Sequence, residues 1–117
     1  MPCTRKQYAK SFIAEARIDS AYETTQRFLI ARGFKITKAQ KPSTIIGERG
    51  TKVGSYFSFR IEEVFQTLAI NFHQTDDGVR VACKYELEAY GLITSKDRMY
   101  LDKEMEMLVA NVNSVHP

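Results

Sequence analysis

The chain has 117 residues, 44% hydrophobic and 26% charged, with a net charge of +3. That length predicts one domain able to bury a core without disulfides, and the charge is too mild to point to nucleic acid or a membrane surface. No apolar run reaches the ~18 residues of a membrane span and no secretory leader is evident. The two cysteines, Cys3 and Cys83, imply no disulfide framework, so a cytoplasmic protein with reduced thiols is expected.

Residues 1–9 are polar and basic, with Arg5 and Lys6, and are expected to be loosely ordered. From Ser11, Phe12, Ala14, Ala16 and Ile18 alternate with Ser11, Ile13, Glu15 and Arg17, which predicts a strand. Tyr8, Phe12 and Ala16 also stack at a helical spacing of four. The capping box Ser20-Ala21-Tyr22-Glu23 starts a new helix, however, and argues against a helix running through it. Ala21, Thr25, Phe28 and Leu29 give that helix its apolar face, and Gly33 ends it as a left-handed cap.

Strands follow. Phe34 and Ile36 alternate with Lys35 and Thr37; Lys41-Pro42-Ser43 turns, and Thr44 to Arg49 returns. The register of the hairpin over 44–61 stays open, because adjacent Ile45 and Ile46 cannot both face the core. Gly50-Thr51-Lys52 turns again into a strand carrying Val53, Phe57, Phe59 and Ile61. Residues 62–66 connect, with Val64 and Phe65 tucked inward. Thr67 to Ala89 then reads as a β-hairpin about Asp77-Gly78. A two-residue loop there pairs Phe72 with Cys83, Ile70 with Tyr85 and Leu68 with Leu87. The other face pairs Asn71 with Lys84, His73 with Ala82 and Thr75 with Arg80. Thr94 or Ser95, with Asp97, caps a final helix. Its apolar stripe is Leu101, Met105, Leu108 and Val112; Arg98–Asp102 and the Lys103, Glu104 and Glu106 cluster form its wet face.

The expected fold is α+β, one domain over residues 1–117. A mostly antiparallel sheet of about six strands, in β-α-β5-α order, is covered on one face by an N-terminal helix and a longer C-terminal helix. This order, with strand Phe12–Ile18 running into Asp19-Ser20-Ala21-Tyr22-Glu23, resembles the helix-grip superfamily of START lipid-transfer and polyketide cyclase-like domains. The chain departs from it in being shorter, by one strand and one small helix. A TATA-binding-protein-like sheet with one exposed face fits almost as well. The resemblance implies an apolar ligand or partner held between the last helix and the sheet.

Local chemistry is sparse. Gly47-Glu48-Arg49-Gly50-Thr51-Lys52 lacks the residue order and following helix of a phosphate loop, and the flanking helices of a KH clamp. Glycines of a hairpin turn explain it, leaving Arg49 and Lys52 as anion or surface contacts. Lys35, Lys38, Lys41 and Arg60 beside Tyr56 make a basic sheet face too dilute to favour nucleic acid. His73 has no partner at metal or catalytic spacing, and Glu86 and Glu88 read as a wet strand face. The sequence therefore favours a non-enzymatic binding domain with no catalytic residue, metal or cofactor. Its ligand cleft candidates are Phe57, Phe59, Phe72, Tyr85, Leu101 and Met105, although the same residues would also make a filled core. The alternative is a protein-interaction or homo-oligomeric module that uses the strand Val53–Ile61 or the helix flank near Tyr100 and Met107.

Overall fold

Five strands and two helices make up the residues described by the computed structural model, 4–51, 61–89 and 94–114. In chain order they are β1 (Thr4–Ala14), α1 (Ile18–Ala31), β2 (Lys35–Gln40), β3 (Thr44–Arg49), a 3-10 turn (Ile61–Glu63), β4 (Gln66–Thr75), β5 (Gly78–Ala89) and α2 (Ser95–Asn113). The strands form one sheet ordered β1-β5-β4-β3-β2, antiparallel throughout. Of the expected strand Val53–Ile61, residues 53–60 lie outside the described residues, and Ile61 opens the 3-10 turn.

Alternation decides which face each strand buries. Leu68, Ile70 and Phe72 on β4 and Val79, Val81, Cys83, Tyr85 and Leu87 on β5 all point inward and are at most 5% exposed. The hairpin forms with the faces the sequence predicts but with a different register. Phe72 lies opposite Val81, Ile70 opposite Cys83, Leu68 opposite Tyr85 and Gln66 opposite Leu87. On the outer face Asn71 meets Ala82 and His73 meets Arg80. The loop is Asp76-Asp77, and Gly78 is already the first residue of β5, opposite Thr75. Neither aspartate adopts positive φ, so the turn is not of the primed type that Asp77-Gly78 would form. Gly78, at φ 140°, lies so close to the Ala14 carbonyl that no side chain fits there. The register slips by two residues, which keeps every side chain on its expected face.

β1 begins earlier than expected. Residues 4–9, expected to be loose, pair with β5 from Thr4↔Ala89 to Ala9↔Lys84. The strand ends at Ala14, and α1 starts at Ile18 with Arg17 as N-cap and no side-chain cap bond. The Ser20–Glu23 capping box is therefore not formed; both residues lie inside the first turns. Helical phase wins over the local cap because Ala21, Tyr22, Thr25, Phe28 and Leu29 all bury against the sheet from this start. Gly33 (φ 90°) closes the helix as expected, with the Phe34 N–H returning to the Leu29 carbonyl at 2.9 Å.

A bulge at Thr37 in β2 sets the β2–β3 register: Ile36 pairs with Gly47 and Lys38 with Ile46. Ile45, Gly47 and Arg49 turn inward, and Ile46 outward. α2 opens on Thr94, whose hydroxyl accepts from the Asp97 N–H at 3.2 Å while the Asp97 carboxylate accepts from the Thr94 N–H at 3.0 Å. Leu101, Met105, Leu108 and Val112 are buried to within 1%. Each such side chain stabilises the fold by roughly 1.5–3 kcal/mol.

Candidate functional site

The inner face of the sheet meets α2 at a polar cluster that the amphipathic reading of the helix placed in water. Glu104 is a correction to that reading: it is 1% exposed, between Leu101 and Leu108 along the helix. Arg49 is the second. Expected as an exposed anion contact, it ends β3 at an inward position and is 6% exposed.

The two form a forked pair. Arg49 Nη1 donates to Glu104 Oε2 at 2.7 Å and Nη2 to Oε1 at 3.0 Å. Arg32, at the end of α1, adds Nε to Oε2 at 2.8 Å, and the Tyr85 hydroxyl from β5 donates to Oε1. Arg49 Nη2 also reaches Gln66 Oε1 at 2.8 Å, and Gln66 Nε2 donates to the Ile61 and Val64 carbonyls at 2.8 and 2.9 Å. Phe34 stacks beneath the Arg49 guanidinium at 4.2 Å. Arg32 also donates to the Tyr100 hydroxyl at 2.9 Å. Of the Arg49 nitrogens only Nε lacks a partner.

Electrostatics keep the carboxylate of this cluster ionised. Burial pushes the Glu104 carboxyl up, but the hydrogen bonds and charge of Arg49, with Tyr85 and Arg32, outweigh it and hold it below the usual carboxylate range. Tyr85 is pushed up by burial and by the Glu104 charge, so it stays protonated as a donor. A carboxylate saturated by four donors, and ionised across the neutral range, is neither a general acid nor a free base. Its work is structural: it ties α2 to α1, β3 and β5 at one point.

One turn nearer the start of α2 lies a second arrangement. A pocket of about 100 Å³ opens between the helix and the β1–β5 edge of the sheet, lined by Lys6, Gln7, Tyr8, Leu87, Arg98 and Leu101. Leu87 and Leu101, 1% and 0% exposed, are its apolar part. Tyr8 packs edge-on against Tyr85 with ring centroids 5.8 Å apart, and its hydroxyl donates to Asp102. Burial, followed by that bond and the Asp102 charge, pushes the Tyr8 phenol up to about 12. Arg98 and Asp102, expected together on the wet face, do not pair among the described residues; Asp102 faces Tyr8 and, at 4.0 Å, Lys10.

Of the cleft candidates, Leu101 alone among the described residues borders this pocket. Phe72, Tyr85 and Met105 are 5%, 0% and 1% exposed and pack in the core cluster. Phe57, Phe59 and Lys52 lie outside the described residues. His73 is exposed on the outer face, and among the described residues no three His, Cys, Asp or Glu side chains cluster as metal ligands. No helix among them is long and apolar enough to cross a membrane.

At the level of sequence, no family model and no curated relative matches the chain. Solved structures do match. Ara h 8.0201 superposes with a TM-score of 0.71 at 9% identity, over 95% of this chain and 97% of that one. Protein MLL2253 from Mesorhizobium loti gives 0.67 at 7% identity, over 94% and 98%. The di-domain ARO/CYC StfQ from the steffimycin biosynthetic pathway gives 0.56 at 10% identity, over 94% of this chain and 51% of its own. At these identities the likeness is one of fold. Together with the element order, it defines an α+β domain of helix-grip type, an antiparallel sheet closed over a C-terminal helix.

Proposed function

We propose that the protein is a non-enzymatic binding domain that holds a small apolar or amphipathic ligand between α2 and the sheet. The observation that carries this is the pocket bordered by Tyr8, Leu87 and Leu101, which opens between helix and sheet beside apolar side chains. Typical ligand pockets run from about 300 to 1,000 Å³. This one is smaller, so it selects a short ligand or one end of a longer one. StfQ, a di-domain ARO/CYC from a biosynthetic pathway, has a similar fold.

The test is native mass spectrometry of protein purified from its source, beside a Leu101→Trp variant that fills the pocket. The expected result is a ligand adduct on the wild type that is absent from the folded variant. An adduct that persists on the variant, or only bare protein in both, overturns the reading.

A second reading, an interaction or homo-oligomeric module, has one observation in its favour. Met99 and Met107 stand 58% and 44% exposed on α2, two turns apart. Adaptable methionine surfaces suit protein contacts. Sedimentation across concentration, with and without Met107→Glu, decides it: a dimer lost in the variant supports assembly, and a monomer throughout removes it.

A further inference from the structure

We propose that the pocket at the start of α2 recognises the anionic head group of a small carboxylate amphiphile, through Lys6 and Arg98; this rests on the cleft being a ligand site. Lys6 stands at an inward position of β1, directly opposite Leu87, and Arg98 lies in the opening turns of α2. Both line the pocket whose apolar part is Leu87 and Leu101. Neither forms an ion pair among the described residues. The carboxylate one turn from Arg98, Asp102, is engaged by the Tyr8 hydroxyl on the pocket wall.

The helix adds to this field. The first turns of a helix carry partial positive charge and favour acidic side chains. Here Asp97 is held in the capping box, while Lys96 and Arg98 place two cations at the same end. Two positive side chains line one pocket at the positive end of a helix, and an anion held there meets favourable charge from both. Below that mouth the pocket borders the Tyr8 ring and the side chains of Leu87 and Leu101. A ligand matched to both parts has a charged head and a short hydrocarbon tail. An apolar cavity of roughly 150 Å³ takes a six-carbon ring, so 100 Å³ takes about four carbons, and a six-carbon ligand fills it with its head left at the mouth.

The experiment is an NMR titration of the whole chain with hexanoate and with hexan-1-ol, which share a tail and differ in head charge. Hexanoate is expected to shift the amides of Gln7, Leu87 and Leu101 saturably, and to bind roughly fivefold more tightly than hexan-1-ol. The Lys6→Gln and Arg98→Gln double variant should lose that preference while its hexan-1-ol affinity stays the same. Equal affinity for the two compounds, or a preference that survives the double variant, overturns the carboxylate assignment and leaves the cleft reading standing. If neither compound shifts those amides in folded protein, both fall.

Discussion

Replacing Glu104 by glutamine removes the only carboxylate that faces Arg49 among the described residues. The volume hardly changes, so the cost is electrostatic. Arg49 is 6% exposed and keeps its charge, while the new amide turns either one weaker acceptor or an N–H₂ group toward it. Removing one partner of a buried pair costs about 3–5 kcal/mol. Against a total stability of roughly 6–18 kcal/mol for 117 residues, that is a large share, and it lowers Tm by about 10–20 °C. The sign of the pH dependence follows from the depressed Glu104 carboxyl. Its stabilisation is complete above the unfolded carboxylate value near pH ~4.3 and is lost as pH falls through the lower folded value. Urea unfolding at neutral pH and across the acid range measures both effects. Glu104→Gln should start lower and show a flatter acid limb than wild type. Replacing Arg49 and Glu104 together by methionine should recover part of the loss, since no lone charge stays buried. A Glu104→Gln stability within 1 kcal/mol of wild type at pH 7 would refute the claim that this pair anchors α2.

Other outcomes follow from single features. Gly50→Ala should cost roughly 2–5 kcal/mol in urea unfolding, because Gly50 sits at φ 84° and an added Cβ would run into the Val64 backbone carbonyl; an unchanged midpoint would remove the close approach. Thr94→Ala breaks the capping box and should cost about 1 kcal/mol, with faster amide exchange confined to the first turn of α2. Burial pushes the Cys83 thiol up to about 12, so stability should fall by ~1.4 kcal/mol per pH unit above the unfolded thiol value near pH ~9. Cys83→Val should flatten that slope near pH ~9, below the tyrosine value near ~10; an equal slope in the variant would reject the assignment.

The elements that were legible in the sequence share one property: their pattern is local and their faces differ. Val79 to Leu87 alternate over nine residues, so the inward face follows from pleat geometry alone. The register of that hairpin was not legible, because Asp76-Asp77-Gly78 offers two loops, and the choice depends on β1 passing beside Gly78. Ser20–Glu23 misled for a related reason. A cap motif is worth about 1 kcal/mol, less than the burial gained by α1 from Tyr22, Phe28 and Leu29. The polar cluster left a signal that amphipathic counting discards. Position 104 is three residues from Leu101 and four from Leu108, the middle of the apolar stripe. Arg49 continues the inward alternation of Ile45 and Gly47, and Gln66 that of Leu68 and Ile70. Three polar residues at inward phase on three elements make a buried network, and only contact between them shows which charges pair.

That network also shapes the cleft. Glu104 receives donors from Arg49 on β3, Arg32 at the end of α1 and Tyr85 on β5, so the helix cannot slide along the sheet without breaking several charged hydrogen bonds at once. On the C-terminal side of this anchor, Leu108 and Val112 are fully buried. On its N-terminal side, Leu101 is buried against the sheet yet borders open space shared with Leu87 and Tyr8. Tyr8 joins the two regions: its ring packs on Tyr85, which holds Glu104, and its hydroxyl reaches Asp102 beside the pocket. A ligand that pressed on Tyr8 would therefore act on the ring stacked against the anchor. Tyr8→Ala should loosen both the pocket and the Tyr85–Glu104 contact, whereas Tyr8→Phe keeps the packing and loses only the Asp102 bond.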